Sequence, residues 1–78
     1  MEIRMIAQRL ASAESRVQHG EAQVNRQRIL VKHLEDNSLS TFQARKLLKE
    51  LEDNLASFVE YRDRLEAEMV LLAARAVA

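Results

Sequence analysis

The chain has 78 residues, and its twelve Lys or Arg are balanced by twelve Asp or Glu, giving a formal net charge of zero. That balance excludes nucleic-acid binding driven by clustered positive charge on phosphates. Cysteine and proline are absent and there is one glycine, so thiol chemistry is excluded and long helices run almost uninterrupted.

The first residues, Met1-Glu2-Ile3-Arg4-Met5-Ile6, lack the charged-then-apolar order of an export signal, and a cytoplasmic location is expected. From Ile3 onward the chain keeps one period. Ile3, Ile6, Leu10, Ala13, Val17, Gly20, Val24, Gln27, Val31 and Leu34 follow one another in alternating steps of three and four. Such steps place every member on one stripe of an α-helix, predicted over residues 3–36.

The segment Asp36-Asn37-Ser38-Leu39-Ser40 reads as a stop. Asn37 or Ser38 takes the non-helical position, with Asn37 favoured because asparagine tolerates positive φ. A turn over 37–40 follows. Ser40 with Gln43 forms an S-x-x-Q capping box that starts the next helix, with Thr41 as the rival cap one residue later.

The second helix is predicted over 41–76. Its stripe is Ala44, Leu48, Leu51, Leu55, Phe58, Arg62, Leu65, Met69, Leu72 and Ala76. So short a link makes the helices antiparallel neighbours. The fold class is all-α: one domain, 1–78, built as a coiled-coil-like antiparallel two-helix hairpin. Pairing Leu34 with Ala44 sets Gly20 against Phe58, Ala13 against Leu65 and Ile3 against Ala76. A register one helical step away puts Phe58 beside Val17.

Two stripes bury too little apolar surface to order a chain of this length on their own. Leu30, Leu47 and Val59 flank the stripes and widen them, as bundle helices require. The expectation is a homodimer, two hairpins related by a two-fold axis in an antiparallel four-helix bundle. Its core and dimer contacts fall to Leu30, Leu47, Leu51, Leu55, Phe58, Val59, Leu65, Met69 and Leu72.

Two polar residues interrupt the stripes. Gln27 reads as a polar layer fixing register and oligomer number, bonded to its symmetry mate or to Gln23. Arg62 reads as a stem packed in the seam, its guanidinium reaching Glu66, Glu14 or Glu21.

No catalytic residue, cofactor site or metal site is legible. His19 and His33 have Arg16 and Leu30 three residues earlier, where a bundle metal site needs Glu. There is no nucleophile with a base and no glycine-rich phosphate loop. The sequence therefore points to a non-catalytic module, whose expected partners are a second copy and another protein of unspecified identity. Its alternative is a peripheral membrane protein using the apolar segment 69–78, which is too short to span a bilayer.

One resemblance adds to this. It rests on Ala13-Glu14, Val17, Gly20-Glu21, Val24, Gln27-Arg28, Leu34-Glu35, Thr41, Ala44-Arg45, Leu47-Leu48 and Arg62-Asp63-Arg64-Leu65. Over residues 10–69 the chain resembles short uncharacterised helical proteins of α-proteobacteria, of the rhizobial type. It departs from them at Ser38, where they often carry glycine, and at Phe58, where they often carry histidine. The resemblance implies a native bacterial protein and brings no activity with it.

Overall fold

A computed structural model describes residues 2–77. Met1 and Ala78, the ends of the expected 1–78 domain and of the 69–78 segment, lie outside the described residues. Two helices, α1 (Ile3–Asp36) and α2 (Phe42–Val77), pack against each other as a hairpin. Among the described residues there is no strand. The hairpin is a rod of 62 × 15 × 14 Å.

The periodic stripes are the buried seam. Ile6, Ala13, Val17, Gly20, Val24 and Val31 of α1 are buried, and Leu10, Gln27 and Leu34 are half-buried. On α2 Leu65 is buried, while Ala44, Leu48, Leu51, Leu55, Phe58, Arg62, Met69 and Leu72 are half-buried. The stripes give out at the open end of the hairpin, where Ile3 and Ala76, expected to face each other, are both exposed.

The turn is built differently from the expectation on two points. Ser38, not Asn37, takes the left-handed conformation, with φ 55°. Its amide donates to the Glu35 carbonyl at 3.0 Å and the Leu39 amide donates to the Leu34 carbonyl at 2.8 Å. Those two bonds define a Schellman ending, in which the left-handed residue reverses the chain and satisfies the last carbonyls. Asn37 serves instead as the C-cap, its side-chain Nδ2 donating to the His33 carbonyl at 2.8 Å.

The second correction is the start of α2. The helix opens at Phe42, so Thr41 is the cap residue and the Ser40–Gln43 box falls one position too early. The Thr41 carbonyl accepts the first helical bond, from the Arg45 amide at 2.8 Å. Its hydroxyl accepts from Arg45 Nε at 3.0 Å.

Midway along the rod sits Gly20. A β-carbon there would stand 3.1 Å from Leu55 Cδ1, 3.7 Å from Leu55 Cβ and 3.7 Å from Phe58 Cδ2. Gly20 thus faces the gap between Leu55 and Phe58, nearer Leu55, instead of facing Phe58 alone. Further along, Ile6, Ala13 and Leu65 form one buried cluster with Leu10, Met69 and Leu72 packed on it.

Candidate interaction surfaces

A two-helix rod has one seam and two flanks, and each flank is a broad face of the molecule. Polar chemistry enters through residues set beside the seam. Directly after Ala13, Gly20, Gln27 and Leu34 come Glu14, Glu21, Arg28 and Glu35. Helical geometry lines these up on one flank. Two cross-helix ion pairs close that flank toward the turn: Arg28 with Glu52 at 3.1 Å, and Glu35 with Arg45. Further from the turn it becomes acidic, with Glu14, Glu21, Asp63 and Glu66.

Arg62 leans toward this flank. Its Nη2 and Nε donate to Asp63 Oδ1 at 3.0 and 3.1 Å, and Glu66 lies at 3.9 Å. The expected ion pair with Glu66 is present, and the adjacent Asp63, absent from the expected partners, accepts the hydrogen bonds. That bond raises the Arg62 pKa above its ordinary value against the opposing effect of partial desolvation, and the charges of Asp63, Glu66 and Glu21 act in the same direction as the bond.

Directly before Leu10, Val17, Val24 and Val31 stand Arg9, Arg16, Gln23 and Leu30, which share the opposite flank. A groove of about 310 Å³ opens there, lined by Gln8, Arg9, Ser12, Ala13, Arg16 and Tyr61. No acidic residue lines it. A neighbouring groove is lined by Ser15, Arg16, His19, Gly20, Gln23 and Phe58.

Gln27 finds its partner inside its own hairpin. Its Nε2 donates to the Ala44 carbonyl at 2.9 Å, so neither Gln23 nor a symmetry-related Gln27 is needed to satisfy it. The signal was in the sequence only as a polar residue in an apolar stripe; the acceptor, a backbone carbonyl seventeen residues away, depends on the register.

Among the expected core residues, Leu51, Leu55, Phe58, Val59, Met69 and Leu72 are half-buried and Leu65 is buried. Leu30 and Leu47 remain 43% and 45% exposed in the single hairpin. Phe42, Val70, Leu71 and Val77 are also exposed. Among the described residues no group of three or more His, Asp or Glu is placed to hold a metal ion. No helix there is long and apolar enough to cross a membrane.

No protein-family model, curated protein or solved structure matches the chain, so no finding bears on its resemblance to the α-proteobacterial proteins.

Proposed function

We propose that the chain is a small non-catalytic interaction module of the cytoplasm that works by self-association, two hairpins stacking into a four-helix bundle. The supporting observation is surface area. The hairpin exposes 6025 Å², whereas a compact monomer of 9.0 kDa exposes about 4,850 Å². The excess, about 1,200 Å², exceeds the roughly 800 Å² per partner that a stable interface buries. Its radius of gyration, 17.7 Å, is likewise above the roughly 12 Å of a compact chain of this length. Much of the surplus is apolar: Leu30 and Leu47 beside the seam, and the half-covered side chains of α2. Burying such residues against a second copy supplies what a single seam lacks.

Sedimentation velocity at micromolar concentration tests this. The expected result is a species of at least twice the chain mass, fully helical by circular dichroism. A stable helical monomer over the whole concentration range refutes it.

The membrane reading is favoured by one feature, the exposed Val70, Leu71 and Val77 on the last turns of α2, which are 67%, 58% and 88% exposed. Co-sedimentation with anionic vesicles decides it: retention of the protein in the vesicle pellet, lost on Val70→Ser with Leu71→Ser, supports surface binding.

A further inference from the structure

The two flanks of the rod differ in charge, and they differ over the same stretch of its length. On one, Arg9 and Arg16 line the groove with Ser12 and Tyr61, and Glu68, seven residues after Tyr61 on the same flank, offsets part of their charge. Neither arginine makes an ion pair among the described residues, although Arg4, Arg28, Lys32, Arg45, Lys49 and Arg62 all do. On the other flank stand Glu14 and Glu21, which likewise have no ion-pair partner among the described residues. The field of that flank is strengthened by Asp63 and Glu66, only partly offset by Arg62.

Spacing matches as well as sign. Arg9 and Arg16 are seven residues apart on α1, and so are Glu14 and Glu21. Seven residues of helix advance about 10.5 Å, so both pairs present their charges at one interval. Each flank also carries apolar side chains for a second copy to cover: Leu30 and Leu47 on the basic flank nearer the turn, Val59 and Val70 on the acidic one.

We infer that copies of this chain meet by unlike faces, the acidic flank of one hairpin, through Glu14 and Glu21, lying on the Arg9–Arg16 groove of the next. The inference rests on the self-association reading; it keeps the four-helix contact between neighbouring hairpins and replaces the two-fold symmetry, and with it the closed pair, by a contact between unlike faces. A two-fold axis passing through the 9–21 stretch sets each charged flank against its own copy and gathers like charges there, which opposes association. Unlike faces avoid this, and they leave one charged flank free on each outer copy. The stack therefore lengthens with concentration instead of closing at two.

Charge reversal provides the test. Arg9→Glu with Arg16→Glu makes both flanks acidic, and Glu14→Arg with Glu21→Arg makes both basic. All four positions are solvent-exposed, and circular dichroism establishes that each variant stays helical. Light scattering on the wild type should show a mass that rises with concentration and falls with added salt. Each double variant alone should associate at least about tenfold more weakly, and an equimolar mixture of the two should recover association. Variants that assemble like the wild type, or a mixture no better than its components, overturn the unlike-face arrangement while leaving self-association standing. A wild type that is monomeric throughout overturns both.

Discussion

Replacing Ser38 by glycine should stabilise the hairpin by about 0.5–1 kcal/mol. Ser38 holds φ 55° at the end of α1, where its amide and that of Leu39 bond back to Glu35 and Leu34. An L-residue in that conformation costs about 1–2 kcal/mol because Cβ crowds the following carbonyl. Glycine avoids the clash but loses about 0.5–1 kcal/mol more backbone entropy on folding, and the difference is the expected gain. Nothing is forfeited with the side chain, whose hydroxyl is exposed and makes no hydrogen bond among the described residues. The assay is thermal and urea denaturation followed by helical circular dichroism, at fixed protein concentration because association shifts the midpoint. The midpoint should rise by about 2–8 °C with an unchanged urea slope. Ser38→Ala keeps the crowded Cβ and should gain nothing. A glycine variant no more stable than the alanine variant would refute the claim that backbone conformation limits this turn.

Gly20→Ala should stabilise by up to about 1 kcal/mol from helix propensity, since the crowding atom, Leu55 Cδ1 at 3.1 Å, is the end of a half-buried, rotatable side chain; a loss in urea titration would show that Leu55 is locked. Gly20→Leu has no such outlet and should cost about 1–3 kcal/mol by the same assay. Gln27→Leu removes one hydrogen bond to a carbonyl that keeps its own helical donor, and buries an apolar side chain in exchange, so the melting temperature should rise; a fall would assign the amide a stabilising role beyond register. Val24→Ala empties a site only 2% exposed and should cost about 2 kcal/mol, read from the urea midpoint. Glu35→Lys opposes two cations at the turn, with an expected loss below about 1 kcal/mol that shrinks as salt is added.

What the sequence made legible was whatever depends on helical period alone. The buried and half-buried positions of both helices fall almost entirely on the two three-four stripes, because burial follows from angle around the axis. The exceptions are Val59, half-buried off the stripes, and Ile3 and Ala76, exposed on them at the end of the rod. What depends on the axial offset between helices was not legible. Nothing in a run of Leu, Val and Ala marks a unique height, so Gly20 was assigned to Phe58 although Leu55 stands nearer, and Gln27 was given Gln23 or its symmetry mate in place of the Ala44 carbonyl. The turn failed for a local reason. Asn37 and Ser38 compete for one position, as do Ser40 and Thr41, and adjacent residues of similar capping chemistry leave the choice open by one residue. The charged flanks were readable once the stripe was known, since their residues are the immediate neighbours of stripe members in the sequence.

The antiparallel course of α1 and α2 has a mechanical consequence. Tension applied between Ile3 and Val77 pulls at two points on the same tip of the rod, so the helices peel apart like a zip instead of sliding. Each layer of the seam then bears the load by itself, beginning with the thinly covered Ile3 and Ala76. The hairpin should therefore open at low force in small steps.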